Sequence, residues 1–118
     1  MADVISLIPT AAYVAAMTTK LMPAEQAIDV SAYKSIDFQI DVPGNPPTSV
    51  TIQSSMTRNA DDASWVDIGT LSSFNTGNAN NYLQVPASTK PLFRFVRWKI
   101  EAGANNATVT VTGMARTT

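Results

Sequence analysis

Ser35-Ile36-Asp37-Phe38-Gln39-Ile40-Asp41-Val42 changes from polar to apolar at every step. Successive side chains of an extended strand point to opposite faces, so this octet has one face for a core and one for water. It stops at Pro43-Gly44-Asn45-Pro46-Pro47, where three prolines and a glycine forbid a regular ladder. The same period recurs on either side. Val50, Ile52, Ser54 and Met56 form the next alternating strand, and after the turn at Arg58-Asn59-Ala60-Asp61-Asp62 another begins at Trp65-Val66-Asp67-Ile68. Tyr82-Leu83-Gln84-Val85 is a short strand stopped by Pro86. The strongest strand runs over residues 92–101, with Val96, Trp98 and Ile100 on one side and Arg97, Lys99 and Glu101 on the other. Gly103-Ala104-Asn105-Asn106 then turns the chain into Thr108-Val109-Thr110-Val111-Thr112, valines in and threonines out.

Short strands with turn signals every ~8–12 residues predict an all-β chain, an antiparallel β-sandwich or jelly-roll-like single domain. The predicted core is Ile36, Phe38, Ile40, Ile52, Trp65, Val96, Trp98, Ile100, Val109 and Val111. Arg94 has the parity of Val96 and Trp98, which aims it inward and demands a carboxylate partner in a structural ion pair.

Residues 1–22 read differently. They are apolar and Ala-rich, without clean alternation or a helical stripe, interrupted at Pro9 and followed by Pro23. The expected organisation is an N-terminal strand or arm over residues 1–22 and a β-sandwich domain over 23–118. Val4, Ile5, Leu7, Ile8 and Tyr13 are too apolar to stay solvated, so they are candidate contacts to another subunit or a shell.

The 118 residues suit one domain with one core. Charged residues make up 14%, against an ordinary quarter or so. The polar surface therefore comes from Thr, Ser, Asn and Gln, of which the β-branched Thr sits well on pleated sheets. A net charge of -1, without a strong basic cluster, argues against nucleic-acid binding. No apolar run reaches the ~20 residues of a membrane helix, and the first residues lack the basic region of a secretory signal. These readings predict synthesis in a cytosol with no membrane partner.

Cysteine and histidine are both absent. That excludes disulfides, thiolate or imidazole metal ligation, and Ser-His-Asp or Cys-His catalysis. Asp37 and Asp41 share a face but lie ~13 Å apart by strand rise, beyond the ~5–9.5 Å of glycosidase pairs. Asp61, Asp62 and Asp67 read as turn formers rather than calcium ligands. No cofactor, metal or enzymatic activity is expected. For ligand contact the candidates are Phe74, Asn78, Asn81 and Tyr82, in and beside the Asn-rich stretch of residues 72–82.

Ile52-Gln53-Ser54-Ser55, Ser64-Trp65-Val66-Asp67-Ile68-Gly69, Phe93-Arg94-Phe95-Val96-Arg97-Trp98-Lys99-Ile100 and Ala107-Thr108-Val109-Thr110-Val111-Thr112-Gly113, preceded by residues 28–36, together resemble the β-sandwich modules of tailed-phage virion proteins. These include capsid decoration, minor capsid and tail-fibre components. The likeness spans residues 28–113, and the chain has Asp61-Asp62-Ala63-Ser64 where many such modules carry Asp-Gly. The resemblance implies a bacteriophage structural protein located in the virion. It would be a homo-oligomer that contacts a major capsid or other virion protein, and no catalytic residue carries over. The alternative reading is a carbohydrate-binding module that uses the loop at 72–82, with a glycan as ligand.

Overall fold

The computed structural model describes residues 4–6, 10–22, 28–31, 33–57, 65–76, 80–86 and 92–116. Among these the chain is all β. Its strands are β1 (Val4–Ser6), β2 (Thr10–Val14), β3 (Thr19–Met22), β4 (Ile28–Asp29), β5 (Ser35–Asp41), β6 (Ser49–Ser55), β7 (Val66–Leu71), β8 (Asn80–Val85), β9 (Phe95–Glu101) and β10 (Ala107–Arg116).

Two antiparallel sheets stack face to face. One runs β1-β10-β5-β8, with β2 also on β10, and the other runs β3-β9-β6-β7, with β4 also on β9. The antiparallel pairs nest: β2 with β10, β3 with β9, β5 with β8 and β6 with β7. The chain is thus one long hairpin, its tip between β6 and β7, rolled up so that successive pairs fall in alternate sheets. This is a jelly-roll arrangement, one of the ways an all-β chain closes its core between two sheets.

Alternation places the core as expected. Ile36, Phe38 and Ile40 of β5, Val109 and Val111 of β10, Ile52 of β6, and Val96, Trp98 and Ile100 of β9 are all buried. Phe38 and Trp98 meet across the sheets edge to face, centroids 5.8 Å apart at 64°. Trp65 is also buried, but it joins Phe95 in a separate small cluster, on the side of β9 that carries Arg97. Ser54 points into the core with its hydroxyl satisfied, donating to the Phe95 carbonyl at 2.9 Å and accepting from the Phe93 amide at 2.8 Å. Met56 does not continue the alternation, because β6 ends at Ser55 and Met56 is exposed.

In the 1–22 segment the described residues form β1, β2 and β3, which pair within the chain's own sheets. Val14 and Met22 are buried in the common core. The weak periodicity has its cause in how these strands are placed. β1 and β2 lie end to end along one edge of β10, and the β2–β3 turn is tight, with Met17 at φ 62° and its amide donating to the Gly103 carbonyl at 2.8 Å.

A bulge adjusts β7 against β6. Ile52 pairs with Gly69 and Gln53 with Asp67, leaving Ile68 as the extra residue. Ile68 is thereby buried while Asp67 stays on the outer face beside Gln53. Gly69 sits where β7 closes against β8. A β-carbon there would lie 2.7 Å from Val85 Cγ1.

Candidate functional site

The outward side of the β1-β10-β5-β8 sheet carries Asp37, Gln39, Tyr82, Thr112, Met114 and Arg116. Register places Gln39 beside both Tyr82 and Thr112, and Met114 beside Asp37. They line, with Phe38 and Gly113, a shallow groove of about 190 Å³. Tyr82 is 69% exposed and Met114 42%, and farther along the same face Tyr13 is 58% exposed. Arg116 Nε donates to Asp37 Oδ2 at 2.6 Å. This face therefore combines exposed apolar surface with a charge pair already satisfied within the chain.

The outward side of the other sheet is more polar and more covered. Thr51, Gln53 and Ser55 belong to the solvent-side parity of β6, yet all are buried. Arg97 explains part of this, because its guanidinium lies 4.3 Å from the Trp65 ring centroid and its Nε donates to Gln53 Oε1 at 2.8 Å. Gln53 Nε2 donates onward to Asp67 Oδ1 at 2.8 Å. Beside this chain a cleft of about 350 Å³ is lined by Thr19, Leu21, Gln53, Arg97 and Lys99.

The residues expected to form a ligand loop do not converge. Asn81 faces inward and is buried. Its Oδ1 accepts from the Asn75 amide at 2.7 Å, and its Nδ2 donates to the carbonyls of Asn75 at 2.9 Å and Ile40 at 3.1 Å. It therefore holds the start of the loop to the sheet. Phe74 is half-buried and packs on the core. Tyr82, one residue after the inward Asn81, points to the opposite face as strand alternation requires. Asn78 lies outside the described residues, as do Leu7 and Ile8. Val4 and Ile5 are in β1, opposite Arg116 and Ala115.

Arg94 corrects the inward reading. Pairing begins at Phe95, so strand parity does not extend to residue 94, and its side chain is 57% exposed. Its Nε lies 3.4 Å from Asp29 Oδ2, and its guanidinium is 5.0 Å from the Phe95 ring centroid. Asp29 is held below the ordinary carboxylate pKa, first by the Ser31 backbone amide, then by the Ser31 hydroxyl, with Arg94 adding to both. The amide bond to Asp29 Oδ1 is 2.9 Å long. Among the described residues no group of three or more acidic side chains gathers to hold a metal ion. Asp61 and Asp62 lie outside them.

No protein-family model matches the chain, and no curated protein matches it. Solved structures do resemble it. The K2 cleaved adhesin domain of Lys-gingipain superposes with a TM-score of 0.53 at 9% identity, over 76% of this chain and 60% of that one. The chain thus spans less than two-thirds of that adhesin domain. A protein of the Bacillus endospore appendages, described as a family of disulfide-linked pili, superposes with a TM-score of 0.51 at 12% identity. That match covers 98% of this chain and 88% of the other. Likeness at these identities is likeness of fold.

Proposed function

We propose that this chain is a non-enzymatic structural protein of a virion, a small capsid decoration or minor capsid component that assembles with copies of itself and with a shell protein. The observation that carries the reading is the outer face of the β1-β10-β5-β8 sheet, where Tyr82 and Met114 are exposed near one another on paired strands, with Tyr13 exposed farther along the same face. Large side chains held this way offer contact area at little ordering cost, and tyrosine and methionine are enriched in protein interfaces. A two-fold contact through this face sets Tyr82 and Met114 of each copy against the other. Each 100 Å² of apolar surface covered contributes about 2.5 kcal/mol before the cost of association, and repetition around a shell multiplies weak contacts.

Supporting features come from chemistry and fold. The chain lacks histidine and cysteine. Asp29, Asp37 and Glu101 each face a cation, and Asp67 holds Gln53. Jelly rolls recur in viral capsids, and the pilus protein that shares the fold is itself an assembling protein. Assembly here does not use disulfides, since there is no cysteine to form them.

Size exclusion with light scattering on the intact chain and on the Tyr82→Ser, Met114→Ser double variant tests this. The expected result is an oligomer for the intact chain and a smaller, still folded species for the variant, which also loses co-sedimentation with capsids. A monomer at the highest soluble concentration that also fails to sediment with capsids overturns the reading.

A further inference from the structure

We propose that the cleft on the outer face of the β3-β9-β6-β7 sheet is a binding site for an acidic sugar, a uronic-acid-type residue of a glycan. This goes beyond the assembly reading and uses the opposite face of the molecule. It also differs from a loop site at 72–82, whose side chains do not converge.

The argument begins with register. Arg97 and Lys99 are two apart on β9, so both project from the same face, and the pairing sets Leu21 beside Lys99 and Gln53 beside Arg97. Thr19 completes the lining. Two cations, an amide, a hydroxyl and one apolar wall therefore surround a space of about 350 Å³. That volume falls within the ~300–1,000 Å³ of small-molecule sites.

The floor is preorganised. Gln53 is only 6% exposed, and its amide is oriented from both ends, by Arg97 and by Asp67. Arg97 is fixed in turn against the Trp65 ring. A guanidinium held in place loses little freedom when it meets a planar carboxylate, which is the geometry its fork suits. Lys99 is the adaptable partner. Its ammonium sits 3.6 Å from Glu101 Oε1, with both side chains substantially exposed, and such a pair is weak and releases its lysine easily.

The ligand class follows from what the lining offers. A carboxylate meets Arg97 and Lys99, a ring hydroxyl meets Thr19, and the C–H face of the sugar lies on Leu21, with Gln53 beneath holding Arg97 in place. A bare inorganic anion uses only the two cations. Glu101 and Asp67 nearby repel a bare anion and a uronate carboxylate alike, but a sugar's hydroxyls can donate to those carboxylates and offset the repulsion.

The test is an NMR titration of the intact, isotopically labelled protein with an oligogalacturonate, a neutral galactose oligosaccharide of equal length, and inorganic sulfate. The expected result is a saturable shift of the Trp65 indole, Arg97 Nε and Gln53 side-chain signals with the uronate alone. Lys99→Gln, at an exposed position with no role in the core, should weaken binding about tenfold, in line with the loss of one charge-assisted contact. Arg97→Gln should abolish it, and an unchanged far-UV spectrum shows that the fold survives. If sulfate shifts the same signals at the same concentration, or the neutral oligosaccharide binds equally, or nothing shifts, the proposal is overturned.

Discussion

Replacing Trp98 with alanine removes the largest of the fully buried side chains. The ring stands on β9 in one sheet and meets Phe38 of β5 in the other at 5.8 Å, so its loss opens a void between the sheets. Large aromatic-to-alanine changes in cores cost about 3–5 kcal/mol. Two further effects act in opposite directions. The edge-to-face pair contributes about 0.5–1.5 kcal/mol beyond its area, which raises the cost. Trp98 Nε1 is buried without a hydrogen-bond partner, and an orphaned donor costs about 1–3 kcal/mol, so deleting it gives some of that back. These nearly offset, and Trp98→Ala should destabilise by about 3–5 kcal/mol. A chain of this length has a total of roughly 6–18 kcal/mol at ordinary stability per residue, so the variant folds but with much less margin. Trp98→Phe separates the contributions. It keeps a ring edge for Phe38 and removes the orphan donor, so it should cost no more than about 1 kcal/mol. Urea unfolding reads both variants through Trp65, the only tryptophan left of the two, with far-UV circular dichroism as the second probe and the slope held constant. A cost below 1 kcal/mol for Trp98→Ala would place the ring outside the core. Equal costs for the two variants would refute the packing role given to the ring edge, and a cost for Trp98→Phe well above about 1 kcal/mol would refute the role given to the unpaired indole nitrogen.

Three further outcomes are expected. Met17→Gly should stabilise by about 0.5–1 kcal/mol, because the left-handed φ is costly for methionine and free for glycine, less the extra entropy glycine loses on folding; Met17 is 80% exposed and gives up no packing, and a lower unfolding midpoint contradicts this. Gly69→Ala should destabilise by about 1–3 kcal/mol through overpacking, since the new methyl meets the short, fully buried Val85 side chain at 2.7 Å; thermal melts check it, and an unchanged melt means the sheets separate freely at that corner. Asp29 should titrate below an ordinary aspartate, with its contribution present above the unfolded-state value of ~3.9 and lost as pH falls through the lower folded-state value. Carboxyl NMR shifts in the intact chain and in Ser31→Ala measure it, and an unshifted Asp29 in the intact chain removes the Ser31 contact as a cause.

Much of this molecule is legible from its residues, because strand alternation is a local property. Ile36, Phe38 and Ile40 are buried in the structure for the same reason they alternate in the sequence: period two assigns a face to each side chain whatever the partner strand. Parity also separated Arg97 and Lys99 from Trp98 and Ile100. It failed at Arg94, one residue before the ladder begins, since a rule about paired strands says nothing about where pairing starts. It was silent on β1 and β2, which are held by pairing to the far end of the chain at β10. Only the tertiary structure decides such contacts. Asp37 meets Arg116 across 79 positions, Asp29 meets Arg94 across 65 and Gln53 meets Arg97 across 44. The burial of Gln53 on an outward face has the same origin. Alternation assigned it to the solvent side, and a roof formed by a side chain from another strand removed the solvent.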